Sequence, residues 1–213
     1  AYGGLSNMAS GFPLVINNIF IFSSEALYQC CRFPHLVDVQ HQILNQVSPM
    51  SSKMVSKPYR NNSRLDWEQY KIRIMKWCLK VKLCQNWDSF SKILLSTGDL
   101  PIVEDSYKDT FWGAIFNGKE YEGINALGRL LMELREEIKI KSKEDFLTVK
   151  PLTIDNFLLF GQKINIVTEN DKNNFLEANY FISTDLLDEI ILVSNKDEYF
   201  YKNLMYLLKN ITS

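Results

Sequence analysis

The segment from Trp67 to about Cys84 constrains the fold most strongly, because its apolar residues recur at intervals of three to four positions. That spacing places side chains on one face of an α-helix, and Asp66 stands where a helix N-cap is expected. The apolar face consists of Tyr70, Ile74, Trp77, Val81 and Cys84. The basic residues between them, Lys82 included, are expected mainly on the remaining surface. The pattern predicts the longest helix of the chain, packed with one face against a core.

Weaker local patterns predict a mainly α-helical fold with small β elements around this helix. Two short strands flank an Asn17-Asn18 turn, and Ser23 or Ser24 caps a helix that continues to about Arg32. Further helices are expected at about 37–47, 49–57, 88–95 and 124–140, and a strand at 100–104. The inward face of the last helix consists of Leu127, Leu130, Leu131, Leu134 and Ile138.

The composition changes near residue 140. Residues 139–145 are rich in charge and are the best linker candidate, so we expect a first domain at 1–140 and an extension at 141–213. In the extension, 157–160 and 164–167 resemble strands around Gly161, whereas 185–192 and 197–211 resemble helices. The sequence therefore predicts a C-terminal α/β extension, and it indicates no role for it.

The overall composition is that of a folded domain with a sizeable core. The chain has 213 residues, of which 46% are hydrophobic, and a net charge of −1. The overall field therefore provides no attraction to nucleic acid, and any contact with a polyanion must be local. No apolar run of about 18 residues and no secretory leader is visible. We expect a soluble, cytoplasmic protein without membrane contact.

The cysteines do not suggest a metal centre. Cys30, Cys31, Cys78 and Cys84 form no C-x-x-C motif, and the two histidines are not at zinc-ligand spacing with them. We expect reduced, mostly buried thiols and neither a metal nor a cofactor.

The motifs between Thr97 and Met132 contain four acidic residues, a tryptophan and four glycines, namely Asp99, Glu104, Asp105, Asp109, Trp112, Gly98, Gly113, Gly123 and Gly128. Glycines suit a backbone that approaches a ligand closely or adopts positive φ. Carboxylates among apolar and aromatic neighbours suit acid–base chemistry. Ordinary structure explains part of the pattern equally well, because Gly98-Asp99 resembles a turn and Asp105-Ser106 a cap.

A series of short motifs runs through the first two thirds of the chain. It includes Gly4-Leu5-Ser6-Asn7, Ser24-Glu25-x-x-Tyr28-Gln29, Ser48-Pro49-x-x-x-Lys53, Lys82-x-x-Gln85-Asn86, Thr97-Gly98-Asp99, Asp109-x-x-Trp112-Gly113 and Gly123-x-Asn125-x-x-Gly128. In this order, the motifs resemble those of the NADAR family, also called YbiA-like. The resemblance covers residues 3 to about 137, and residues 150–213 fall outside it.

The resemblance implies the compact, mainly helical NADAR fold and hydrolysis of an N-glycosidic bond on a ribose. YbiA-type members act on phosphoribosylated pyrimidine intermediates of riboflavin synthesis. Others remove ADP-ribose from guanine bases and serve as antitoxins to DarT-type DNA ADP-ribosyltransferases. The sequence of residues 3–14 and 24–35 resembles the members that act on ADP-ribosylated guanine. This chain has Ala26 and Arg32 where many YbiA-type members have His and Lys.

The resemblance also implies a catalytic set of Glu25, Asp109 and Lys53. A carboxylate near the anomeric carbon stabilises an oxocarbenium-like state or activates water. Glu25 has an alternative role as a first-turn carboxylate favoured by the helix dipole, and Asp109 as a cap of the turn at Trp112. Lys53 either neutralises diphosphate oxygens, forms a Schiff base with an opened ribose, or is an exposed helix lysine.

The remaining candidates would bind the substrate. Guanidinium and ammonium groups suit phosphate oxygens, and a tryptophan is large enough to stack on a base. Asn7 is a candidate for ribose hydroxyls, and Glu104 either for the substrate or for a backbone bond. The full set is Asn7, Arg32, Lys57, Arg60, Glu104, Trp112, Gly113 and Asn125.

The basic run that includes Lys53, Lys57, Arg60 and Arg64 fits a track for single-stranded DNA, and it fits a solvated loop equally well. The leading hypothesis is a hydrolase that frees guanine in DNA from ADP-ribose, with ADP-ribose as product, paired in function with a DarT-type toxin. The alternatives are an N-glycosidase of riboflavin-pathway intermediates and a non-catalytic module that binds ADP-ribose or NAD.

Overall fold

The helices predicted from apolar periodicity form the body of the protein. The structure is a computed structural model, and it describes residues 2–175 and 177. Within residues 2–169 the α-helices are α1 (Ser24–Arg32), α2 (Val37–Leu44), α3 (Pro49–Ser56), α4 (Trp67–Gln85), α5 (Trp87–Leu95) and α6 (Ala126–Ile140). Short 3₁₀ turns occur at Gly3–Leu5, Lys57–Asn62 and Lys143–Phe146.

Short antiparallel strand pairs accompany the helices. β1 (Leu14–Ile16) pairs with β2 (Ile19–Ile21), and β3 (Ile115–Phe116) pairs with β4 (Tyr121–Glu122). Further along, β5 (Thr148–Val149) pairs with β8 (Val167–Thr168), and β6 (Leu158–Leu159) with β7 (Gln162–Lys163). The prediction of a mainly helical fold with small β elements is confirmed.

Helix α4 lies at the centre of this arrangement and packs against α1, α5, α6, β1 and β5. Between Ile74 and Gln85 every residue except Lys76 and Lys80 is buried. The prediction of a single buried face is therefore wrong for this half of the helix, because neighbours cover both sides. Lys82, which was expected on the surface, is fully buried.

The start of α4 also differs from the prediction. Asp66 occupies the N-cap position, but its side chain accepts no hydrogen bond from the helix. Its carboxylate pairs instead with the guanidinium of Arg64. The sequence signal located the first turn correctly and assigned the wrong partner to the carboxylate.

Other local signals act as predicted. Asn17 and Asn18 adopt left-handed conformations, with φ of 51° and 60°, as the tight turn between two hairpin strands requires. The Ser23 hydroxyl accepts a hydrogen bond from the Ala26 N–H (3.2 Å) and caps α1. Helix α3 begins with Pro49 at its first position, where proline loses no hydrogen bond.

The strand expected at 100–104 is not formed. Ile102 is buried, but no neighbouring strand pairs with this segment, and the ladder is limited to an isolated bridge between Asp105 and Ala114. The side chain of Asn125 replaces a strand partner. Its amide donates to the Ile102 carbonyl (2.8 Å) and its oxygen accepts from the Glu104 N–H (3.0 Å).

The charged segment near residue 140 does not separate two bodies. Ser142 and Asp145 form a reciprocal capping box, Phe146 is buried, and β5 packs against α4. The first compact unit therefore continues to Glu169. A hairpin forms around Gly161 as predicted, although its second strand is shorter and earlier than the expected 164–167. The helices expected at 185–192 and 197–211 lie outside the described residues.

Candidate active site

A cleft of about 330 Å³ lies between the N-terminal loop, α1, the first turns of α4 and the loop of residues 104–113. It gathers most of the residues that the sequence singled out, although they come from distant parts of the chain. The predicted residues that line it are Asn7, Glu25, Arg32, Lys53, Arg60, Glu104, Asp109, Trp112 and Gly113. The side chains of Glu25 and Asp109 thus share one cavity.

Glu25 lies in the first turn of α1 and is 5% exposed. One carboxylate oxygen accepts a hydrogen bond from Asn7 Nδ2 (2.7 Å), and the other accepts from Gln29 Nε2 (2.8 Å). Gln29 is itself oriented, because its oxygen accepts from the Ser56 hydroxyl (2.9 Å). The network holds the carboxylate in one orientation, and the helix dipole favours its charge as well.

Asn7 carries a buried acceptor that the protein leaves unused. The residue is 2% exposed and lines the cleft. Its amide nitrogen binds Glu25, whereas its Oδ1 has no hydrogen-bond partner among the described residues. Because buried polar atoms are normally paired, this oxygen is suited to receive a hydroxyl or N–H group of a ligand.

Glu104 provides a second carboxylate in a different environment. Its Oε1 accepts a hydrogen bond from the Ser6 hydroxyl (2.9 Å). Burial raises the pKa of Glu104; the nearby charge of Glu25 adds to the effect, and the Ser6 hydrogen bond and the Lys53 ammonium oppose it. A raised pKa favours the protonated form, which is the form that donates a proton.

Asp109 combines a structural role with a position in the cleft. Its Oδ1 accepts hydrogen bonds from the backbone N–H groups of Phe111 (3.0 Å) and Trp112 (2.8 Å), so the capping alternative is confirmed. Its Oδ2 has no hydrogen-bond partner within residues 2–175 and 177. Since one oxygen fixes the turn, the orientation of the whole carboxylate at the cleft is fixed as well.

Three cations of the cleft have no acidic partner. Within the described part of the chain, no carboxylate forms an ion pair with Arg32, Lys53 or Arg60. Burial, with the neighbouring Arg60 guanidinium, lowers the pKa of Arg32. Its Nε donates to the Ser63 hydroxyl (2.6 Å), and its guanidinium lies 4.8 Å from the centroid of the Trp67 ring. Cations without a direct ion pair are suited to contact an anionic ligand.

Aromatic rings form one wall of the cleft. The Tyr28 ring lies 5.0 Å from that of Trp67 and 5.6 Å from that of Trp112, and Phe111 contacts Trp112 at 5.1 Å. Burial, and then the charge of Glu25, raises the pKa of Tyr28, so its phenol stays neutral. Trp67 belongs to the core and lines the cleft as well.

Gly113 is required by the packing of two backbone segments. A Cβ atom on this residue would lie 2.3 Å from the Glu104 carbonyl oxygen, and the adjacent Ala114 N–H donates to that oxygen (2.9 Å). Only glycine permits this approach. Gly113 therefore fixes the position of Glu104 in addition to lining the cleft.

Two predicted substrate contacts do not line the cleft. Lys57 is exposed in the turn that follows α3, and the Asn125 side chain is occupied by the backbone of Ile102 and Glu104. The basic run is also divided, because Arg64 is buried against Asp66 and the Asp155 carbonyl. Its four cations thus do not form one exposed track.

Some lining residues had received no role from the sequence. The motifs contained Tyr28 and Gln29, which line the cleft, and Ser6, which bonds to Glu104, but motif membership alone does not reveal hydrogen-bond partners. The position of Gln29, one helical turn after Glu25, was the one available signal. Glu68, Lys71 and Phe111 also line the cleft, and they came from segments interpreted as helix surface or loop.

The cysteine prediction is confirmed, since all four are buried free thiols. Among residues 2–175 and 177, no cluster of three or more His, Cys, Asp or Glu side chains is arranged to hold a metal ion. In the same part of the chain, the helices are too short or too polar to cross a bilayer.

Comparison with known proteins identifies the family of this chain. A sequence model of the NADAR domain matches residues 1–139. The chain belongs to the NADAR family. The family match ends 30 residues before the compact unit does at Glu169, so the NADAR domain of this chain is continued by the segment that carries β5 to β8.

Individual NADAR relatives resemble the chain over the same part. The N-glycosidase YbiA of Escherichia coli is 32% identical over 148 residues, which are 66% of this chain and 84% of that protein. Its NMR structure superimposes with a TM-score of 0.56 at 30% identity and covers 65% of this chain and 79% of that one. A riboflavin biosynthesis protein of Vibrio vulnificus is 35% identical over 117 residues, or 55% of this chain, but the match spans only 30% of that protein.

Proposed function

We propose that this NADAR protein is an N-glycosidase that releases ADP-ribose from guanine bases of nucleic acid. The observation that carries the proposal is the cleft, which brings together carboxylates, aromatic rings and three cations that form no ion pair within the described residues. A phosphorylated ribose attached to a base offers a partner to each of these groups: phosphate for the cations, ribose for the carboxylates and the base for the aromatic rings. The proposal also draws on the relatives named N-glycosidase. In addition, the sequence of residues 3–14 and 24–35 resembles the members that act on ADP-ribosylated guanine.

The carboxylates would perform the bond cleavage. Hydrolysis breaks the bond between C1 of the ribose and the base nitrogen, adds the water oxygen to C1, and returns a proton to the base. Glu25 or Asp109 would stabilise the positive charge that develops at C1 and accept a proton from the attacking water. Glu104, whose pKa is raised by burial, would donate a proton to the leaving base.

The cations and the unpaired amide oxygen would hold the rest of the substrate. Arg32 and Arg60 would bind the diphosphate, with Lys53 either beside them or at C1 as an amine nucleophile. Asn7 Oδ1 would accept a hydrogen bond from a ribose hydroxyl, which would satisfy an acceptor that otherwise remains unpaired. The ring of Trp112 would stack on the base.

A second candidate is hydrolysis of a phosphoribosylated pyrimidine, which is favoured by the relatives named riboflavin biosynthesis proteins. That substrate would use the same carboxylates and would leave part of the cationic surface unused. Both candidates predict binding through phosphate, so the substrate must be distinguished by assay.

The deciding experiment incubates the protein with ADP-ribosylated guanine in a single-stranded DNA oligonucleotide, and separately with a phosphoribosyl-pyrimidine. Release of free ADP-ribose and unmodified DNA is the expected result. Such an activity would make the protein the functional counterpart of a DarT-type toxin, and co-expression with such a transferase would restore growth. Turnover of the pyrimidine alone would favour the second candidate. Tight binding of ADP-ribose in calorimetry without turnover of either compound would indicate a binding module and refute the proposal.

A further inference from the structure

Lys82 is an unusual feature of the interior. It is fully buried in the second half of α4, and among the described residues no carboxylate lies within ion-pair distance of its ammonium. Its Nζ donates hydrogen bonds to the carbonyl oxygens of Gly4 (2.8 Å) and Ser6 (3.1 Å). The rings of Phe12 and Phe90 also contact the Lys82 side chain, each with its centroid 4.3 Å from Nζ.

Burial of an ammonium is unfavourable for folding, because the charge loses its hydration. A methionine of similar length would fill the same space without that cost. The lysine is therefore explained by what its two hydrogen bonds hold, which is the backbone of residues 4–6.

That backbone leads directly to two carboxylates of the cleft, the buried Glu25 and the half-buried Glu104. The Ser6 hydroxyl donates to Glu104, and the adjacent Asn7 amide donates to Glu25. Ser6 and Asn7 belong to one short loop. A single displacement of this loop would therefore misalign both carboxylates.

We infer that Lys82 is a positioning residue of the active site, whose Nζ hydrogen bonds fix residues 4–6 so that Ser6 contacts Glu104 and Asn7 contacts Glu25. The inference rests on the proposed function, since it assigns Lys82 a part in that site. Lys82 does not line the cleft and acts through the loop.

The test compares Lys82→Met with Lys80→Met, the same substitution two residues earlier on the same helix. Lys80 is partly exposed and pairs with Glu137, away from the cleft. We expect Lys82→Met to lower kcat by about 10²-fold with KM nearly unchanged, because small displacements of catalytic groups have effects of that size. Lys80→Met should retain wild-type kcat and KM.

A double-mutant cycle separates positioning from general stability. Ser6→Ala should lower kcat in the wild-type background and have almost no further effect in Lys82→Met, because both changes break one connection. Independent, additive effects would overturn the inference, as would a wild-type kcat in Lys82→Met. Lys82→Gln, whose shorter side chain ends in an NH₂ group with two N–H donors, should recover part of the activity. Failure of both Lys82 variants to fold would make Lys82 a determinant of stability and overturn its assignment as a positioning residue.

Hydrogen exchange provides a readout that needs no substrate. The amides of residues 5–9 include donors to Tyr2, Gly3 and Ser6 within the loop, and they should exchange faster in Lys82→Met than in Lys80→Met. If wild-type protein hydrolyses none of the substrates, the proposed function fails, and the exchange rates still decide whether Lys82 holds the loop. Equal rates in the two variants would refute the inference.

Discussion

Replacement of Glu25 by glutamine tests the central carboxylate with almost no change in shape. The two carboxylate oxygens accept hydrogen bonds from Asn7 (2.7 Å) and Gln29 (2.8 Å). Glutamine has one acceptor oxygen, so its NH₂ group must face one of these donors. An unmade buried hydrogen bond costs about 1–3 kcal/mol, which sets the expected loss in the free energy of unfolding.

The expected loss of activity is larger than the loss of stability. A positioned acid–base group contributes roughly 10²–10⁴-fold to rate, which corresponds to about 3–5 kcal/mol of transition-state stabilisation. We therefore expect kcat of Glu25→Gln to fall by that factor while the protein remains folded at 25 °C. Steady-state release of ADP-ribose measures kcat, and urea unfolding measures stability.

Glu68→Gln is the matched control for this experiment. Glu68 also lines the cleft, but its side chain is 78% exposed and it pairs with Lys71. The same substitution there removes a charge near the substrate without removing a buried, oriented carboxylate. If Glu25→Gln kept kcat within about threefold of wild type, or changed no more than Glu68→Gln, the assignment of Glu25 to the bond-breaking step would be refuted.

Three further outcomes follow from the site geometry. Asp109→Asn should keep the turn, because its Oδ1 remains an acceptor. The stability measured by urea unfolding should therefore change little, whereas kcat should fall. A wild-type kcat would leave Asp109 with its capping role alone. Arg60→Ala should raise KM by roughly tenfold, since a charge-assisted hydrogen bond contributes about 1.5–3 kcal/mol, with kcat retained; an unchanged KM in 0.1 M salt would argue against a phosphate contact. Burial lowers the pKa of Lys82 from 10.5 to about 7, so between these values the unfolded chain binds more protons and the folded state gains stability as pH rises. Urea unfolding at pH 7 and pH 9 should show this gain, about 2 kcal/mol, in wild-type protein and not in Lys82→Met; equal pH dependence in both would contradict it.

The sequence by itself determined the elements whose signals are local. The Asn17-Asn18 turn, the Ser23 cap and the periodic face of α6 each depend on residues within a few positions of one another. The leucines predicted to face inward on α6 are all buried. The family motifs also contained many of the residues that share the cleft, because a motif marks positions without any knowledge of the path between them.

The tertiary structure decided everything that depends on which segments meet. Residues 100–104 have a strand-like composition but pair with the side chain of Asn125 instead of a strand. Lys82 looks like a surface lysine in its own helix, and only the loop of residues 4–6 together with Phe12 and Phe90 makes it buried. The Asp66 carboxylate pairs with the Arg64 guanidinium and does not accept a hydrogen bond from the N–H groups of the helix that follows. Periodicity and capping report the conformation of one segment, whereas burial and the choice of hydrogen-bond partner are set by groups far away in the chain.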